Sequence, residues 1–290
     1  MRRPRIALLA LPLLVAPLAA CGSDEATAVE VVRGAPAATV EAQTARMAFE
    51  ISMPTGPMGA AGTGTLTGEG VIDFERRIGS MSFDLASMLQ ATGEQVPPGT
   101  DTRMEMVFEG TVYYLRFPML AGALGPESQG KEWIRIDAGA MAADMGIDLS
   151  QIEQLGNDPR QQLAYLTGVS DDIEEVGEDD VRGEKVTRYR GTARMDLMFE
   201  QLEAQAVVDV DRLRQQVEQL GIEEIPFDVW IDDEGRARRM EMTMPTPPEA
   251  GAGDVRVAIE MFDFGTAVDV QPPSPEITLD ANEMMAGAGG

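Results

Sequence analysis

The sequence predicts an α+β protein built on a single antiparallel sheet. Two observations carry this prediction. About ten short stretches alternate apolar and polar residues with the period of two that half-buries a strand, and most are separated by turn-forming Gly, Asp and Glu. A block in the middle of the chain changes to the spacing of three and four that gives a helix one apolar face. Strands precede and follow that block. A strongly curved sheet wrapping its helices would therefore bury one face of every strand.

The elements follow in order. Residues 46–53 place Met47, Phe49, Ile51 and Met53 on one face, and Arg46, Ala48, Glu50 and Ser52 on the other. Residues 65–74 and 78–85 form the next two strands, in which Gly68 and Gly70 suggest a bulge or bend. The stretch 86–101, stopped by Pro97, Pro98 and Gly99, reads as loop. Residues 102–108, with Met104, Met106 and Phe108 on one face, pair with 111–117 across the turn Glu109-Gly110. Residues 131–137 add a short strand after a Gly-rich loop. Short helices are predicted at 138–146 and from Asp148 or Ser150 to Leu155. Another opens at Asp158-Pro159, with a capping Asp, Pro at the first helical position and Gln161 three residues after the cap. Strands return at 171–176 and 181–194, joined by a turn at 177–179.

The helix 196–221 follows, with Met198, Leu202, Ala206, Val210, Leu213, Val217 and Leu220 along one side. Residues 225–231 and 236–244 form a hairpin around Asp232-Asp233-Glu234-Gly235, with Met240, Met242 and Met244 sharing a face. Residues 255–264 alternate again, with Val255, Val257, Ile259 and Met261 together. From Gln271 the chain reads as a loose tail.

Composition excludes several kinds of function. The formal charge of −26 repels nucleic acid, so that partner is set aside. The absence of histidine removes the Ser-His-Asp triad, His-ligated zinc and the commonest general base. Asp232 and Asp233 are a poor carboxylate pair for acid-base chemistry, because neighbours on a strand point to opposite faces. The spacing Met240-x-Met242-x-Met244 would suit Cu(I) thioether ligation, but any strand core shows the same alternation. Acidic runs such as 171–172 and 178–180 lack the spacing of a calcium loop. The chain is therefore expected to be no enzyme and to need no cofactor or metal.

The N-terminus is informative. Arg2, Arg3 and Arg5 precede the apolar run 6–15, which is too short to span a bilayer, and small residues follow. Leu18-Ala19-Ala20-Cys21 resembles the lipobox of bacterial lipoproteins. The resemblance implies Leu18, Ala19 and Ala20 as recognition residues and Cys21, the sole cysteine, as the lipid-bearing anchor. The expected organisation is a signal peptide at 1–20, an anchored flexible tether at 21–38, a domain at 39–270 and a loose tail at 271–290. The protein is expected on the extracytoplasmic face of the cell membrane.

The order of motifs from about Val40 to Phe264 resembles the LppX/LprG-type lipoproteins of actinobacteria, distant relatives of the LolA and LolB lipoprotein carriers. The residues concerned are Cys21, the run 130–137 (GKEWIRID), Asp158-Pro159 with Leu163, the run 186–191 (VTRYRG) and the run 227–240 (FDVWIDDEGRARRM). The resemblance implies a LolA-like half-barrel with helices on its concave face and a cavity that holds acylated lipid or glycolipid. Met47, Phe49, Ile51, Met104, Met106, Met198, Leu202, Met240, Met242, Val257 and Ile259 are the expected lining, since methionine adapts to irregular apolar shapes. A plain, filled core accounts for the same pattern. Arg236, Arg238 and Arg239 would meet an acidic headgroup or, more simply, pair with Asp232, Asp233 and Glu241. The function expected is a membrane-anchored lipid carrier or sensor. The alternative is a surface lipoprotein that binds an envelope protein and carries no lipid.

Overall fold

The structure is a computed structural model that describes residues 26–55, 62–91, 97–118, 130–144, 172–197, 199–200, 210–219, 221–245 and 253–282. The helices predicted around 148–168 lie outside them, and so does most of the stretch 198–209.

The chain opens with α1 (Ala28–Glu41), then β1 (Thr44–Thr55), β2 (Gly62–Asp73), β3 (Ile78–Asp84), α2 (Ala86–Ala91), β4 (Arg103–Glu109), β5 (Val112–Arg116), β6 (Trp133–Asp137) and α3 (Ala138–Asp144). After the crossover come β7 (Glu174–Val181), β8 (Glu184–Arg194), α4 (Val210–Gln219), β9 (Glu224–Asp232), β10 (Ala237–Met244), β11 (Val255–Phe262) and β12 (Thr278–Asp280). All twelve strands join one open sheet in the order β12-β6-β5-β4-β3-β2-β1-β11-β10-β9-β8-β7. Every pairing is antiparallel except β12 with β6. The α+β class and the single antiparallel sheet are as the alternation of the sequence required.

Four expectations are corrected. The stretch 21–38 does not remain a spacer throughout: residues 28–41 are helical. Thr27 accepts the N–H of Glu30, and Glu30 accepts the N–H of Thr27, a reciprocal cap. Val32 and Ala35 then bury against the sheet, which holds the helix in place. The loop expected at 86–101 begins with α2, where Asp84 accepts the N–H of Ala86. The turn expected at 177–179 sits instead at Arg182-Gly183. Both residues there have positive φ (56° and 83°), as a two-residue hairpin turn demands, and Gly177 lies within β7, paired with Arg188 just after a register shift at Val176. The tail from Gln271 is not loose throughout. Leu279 is buried in β12, Lys131 donates to the carbonyl of Thr278, and Arg135 pairs with Asp280. The helix expected at 138–146 is α3, with Asp137 accepting the N–H of Ala140 at its start.

Core packing is concentrated at one side. Val32 and Ala35 of α1 meet Tyr189 of β8 and Phe227, Val229 and Ile231 of β9, all less than a tenth exposed. A smaller cluster on the other face joins Val181, Val186 and Trp230. The Trp230 indole N–H there donates to Asp179 at 2.8 Å.

The connections are strongly unequal at the two ends of the strands. Those at 42–43, 74–77, 110–111, 182–183 and 233–236 are four residues or fewer. Those at 56–61, 85–102, 117–132, 195–223 and 245–254 leave from the opposite end and are longer.

Candidate functional site

Strand register brings the alternating apolar residues into continuous rows. One row runs Tyr189–Val229–Met240–Ile259–Phe49–Gly68–Phe83–Met104 across eight strands. A second runs Met261–Met47–Gly70–Met81–Met106–Leu115–Ile134–Leu279. A third contains Phe227, Met242, Val257, Ile51 and Leu66. Partners in register share a face, so these rows form one apolar face over eleven strands.

The predicted lining residues Met47, Phe49, Ile51, Met104, Met106, Met240, Met242, Val257 and Ile259 all lie on it. Met47 is buried and the other eight are half-buried. Met198 and Leu202 lie outside the described residues, and so do Leu18, Ala19, Ala20 and Cys21. Sequence reasoning left Phe83, Leu115, Ile134 and Leu279 out of the lining, although alternation marks the first three.

The floor of this face is kept low by glycine. At Gly68 an added Cβ would stand 2.7 Å from Cδ1 of Phe83, and at Gly79 it would stand 2.5 Å from Cζ of Phe108. Gly191 stands in the same relation to Phe227, at 2.8 Å. Each pair is in direct register, so an aromatic ring lies down over a strand that carries no side chain there. Gly68 and Gly70 therefore mark no bulge, since β2 stays in register with β1 and β3 along its length. Phe49 and Phe83 touch at a centroid distance of 5.9 Å.

The opposite face is polar and cross-linked. Arg239 pairs with Glu241 and Glu260, Arg116 with Glu105 and Glu132, and Arg188 with Asp228. An open recess of about 500 Å³ on that side is lined by Glu50, Glu69, Asp84, Arg103, Arg182 and Arg239 among others. The basic cluster of β10 takes the carboxylate option. Arg236 and Arg238 both donate to Asp232, at 2.9 and 2.7 Å, and both lie within 5 Å of the Phe264 ring centre. Burial opposes ionisation of Asp232. The Arg236 backbone N–H and the two guanidinium groups outweigh it and hold the carboxyl below its usual range. Among the described residues, no group of three His, Cys, Asp or Glu is arranged to hold a metal. No described helix is long and apolar enough to cross a membrane.

No protein-family model matches the chain. An uncharacterized 31.2 kDa protein of Streptomyces griseus, from the rplA-rplJ intergenic region, is 26% identical over 178 residues, covering 59% of this chain. The chain spans about half the length of that relative, 55%. Similar solved structures include the Mycobacterium tuberculosis lipoprotein LppX, with TM-score 0.48, 10% identity and coverage of 84% of this chain and 98% of that one. LprF of Mycobacterium bovis has TM-score 0.45 and 13% identity, over 85% and 97% of the two chains.

Proposed function

We propose that the protein is an envelope lipoprotein, anchored to the membrane through Cys21, whose apolar sheet face shelters the acyl chains of a lipid or glycolipid. It acts as a carrier or sensor and not as an enzyme. One observation carries this reading: the apolar face extends over eleven strands, while α1 packs against only one side of it, on β9 and β10. From β11 to β6 the same face is lined by partly exposed Met, Phe, Ile and Val. Each CH₂ withdrawn from water onto such a surface is worth about 0.8 kcal/mol, so two long acyl chains supply more than about 10 kcal/mol gross. Methionine side chains accommodate chains of different length without a fixed shape.

The test uses the full chain, freed of detergent. Its organic extract is analysed by mass spectrometry, and uptake of a fluorescent acyl probe is measured. Co-purified acyl lipid beyond the covalent anchor, and saturable probe uptake, are expected. If neither appears, the carrier reading is wrong, and the envelope-protein partner becomes the better account of the face. Incorporation of labelled palmitate that is lost in Cys21→Ala tests the anchor separately.

A further inference from the structure

We propose that the apolar face also reduces acyl hydroperoxides: its methionines give up an electron pair to a hydroperoxide group on the chain lying against them and become sulfoxides. This rests on the acyl-binding reading above and adds a chemistry to that same face.

The observation behind it is where the sulfur lies. Of the twelve described methionines, nine project from this one face, on β1, β3, β4, β10 and β11. The second row places Met261, Met47, Met81 and Met106 on four of the five adjacent strands from β11 to β4, a span of about 19 Å at the usual strand spacing. The fifth strand, β2, carries Gly70 there. An added Cβ at Gly70 would stand 3.0 Å from Cγ of Met81, so the Met81 side chain leans over β2 toward Met47. An acyl chain laid along this row has a thioether beside it at nearly every strand. Met47 is buried, and Met81, Met106 and Met261 are half-buried.

Packing alone does not ask for sulfur, because leucine and isoleucine supply the same kind of apolar surface with better-defined rotamers. What the thioether adds is a two-electron donor. From β10 to β4 every position in the three rows is apolar or glycine. A hydroperoxide O–H drawn onto this surface therefore finds thioether sulfur as its side-chain acceptor. That contact sets sulfur against the distal peroxide oxygen. The sulfur lone pair attacks this oxygen, an S–O bond forms and the O–O bond breaks. The proton of the transferred OH passes to the leaving alkoxide. The acyl hydroperoxide becomes an alcohol, reduced by two electrons, and the methionine becomes its sulfoxide, oxidised by two. Each methionine reacts once, so the protein is consumed stoichiometrically. Holding the two groups together is what makes a slow bimolecular reaction fast.

The test uses the full chain, freed of detergent, with linoleic acid hydroperoxide carrying heavy oxygen in its O–O group, and with hydrogen peroxide in a parallel arm. Peptide mapping by mass spectrometry locates the labelled oxygen, and the lipid product is measured in the same sample. Met141 of α3 and Met195 beyond β8 are half-buried like the face methionines but stand outside the rows, so they serve as references. Labelled sulfoxide in the rows is expected, with an equal amount of hydroxy acid. The ratio of row to reference oxidation should be several-fold higher with the acyl hydroperoxide than with hydrogen peroxide. Stearic acid should suppress the acyl reaction several-fold by occupying the face. The same ratio with both oxidants overturns the inference, since exposure alone would then set the pattern. So does a hydroperoxide that displaces the fluorescent acyl probe and is recovered unreduced; the methionines would then serve only as adaptable packing, and the carrier reading would stand. If the chain takes up no acyl probe at all, the carrier reading falls and this inference with it.

Discussion

The apolar face behaves differently in its two halves. On β8 and β9, beneath α1, Tyr189, Phe227, Val229 and Ile231 are 3–8% exposed. On β1 to β6, residues of the same type in the same rows are mostly half-buried. The strand pattern is identical; among the described residues, α1 is laid over the first set, while α2 packs against β2 of the second. Alternation therefore fixes which face is apolar, and a separate element decides how completely that face leaves water. A half that is already sealed contributes stability, whereas the half left partly open among the described residues is the one that would take a ligand under the function proposed above.

The sharpest way to break this contrast is at the Asp232 cluster, next to the end of α1. Arg238 and Asp232 side chains are 10% and 6% exposed. Arg238→Ala leaves Asp232 buried with one guanidinium fewer and is expected to cost about 3–5 kcal/mol in denaturant unfolding. Because the folded pKa of Asp232 is lowered, the stability it contributes is present above the unfolded value of 3.8 and is lost as pH falls below it, through the folded value. Acid unfolding of Asp232→Asn should lack that part of the pH dependence. An unchanged acid midpoint and slope would mean that the cluster does not brace the sealed half.

Truncation of single side chains compares the halves directly. Ile231→Ala, in the sealed half, should cost about 2–4 kcal/mol, since a cavity is added to the lost transfer energy. Met106→Ala, in the open half, should cost less than about 1.5 kcal/mol, because its site is already in contact with solvent. It should nonetheless weaken acyl-probe uptake several-fold, which Ile231→Ala in its folded state should not. Equal costs in thermal unfolding would remove the distinction.

Much of the architecture was legible because strand alternation is a local property. β1, β4, β9, β10 and β11 announce their faces residue by residue, and nine of the predicted lining residues share one face for that reason. What was not legible depended on long-range contact. α1 was hidden by small residues and by Pro36 within it, although Thr27 with Glu30 three residues on is a capping signal, and Val32, Ala35 and Thr39 recur at helical spacing. β12 has three residues and acquires its place only from pairing with β6, 145 residues away in sequence. The glycines of β2 look like breaks in isolation. Only the register shows that Phe83 needs the space above Gly68.

That glycine gives the finest adjustment of the contrast, within the open half itself. Gly68→Ala sets a methyl group against the Phe83 ring, at 2.7 Å before relaxation, so the ring must lift from the sheet. An overpacking cost of about 1–2 kcal/mol is expected, because a half-buried ring has room to yield. The larger consequence is for binding, since a raised ring takes volume that an acyl chain would occupy. Uptake of long-chain probes should fall, and bulky or branched chains should be affected most. The double variant Gly68→Ala/Phe83→Leu removes the clash and should recover both stability and uptake relative to Gly68→Ala alone. Recovery of stability without recovery of uptake would show that the ring's position does not set the depth of the face. The acyl chain would then have to lie over other strands.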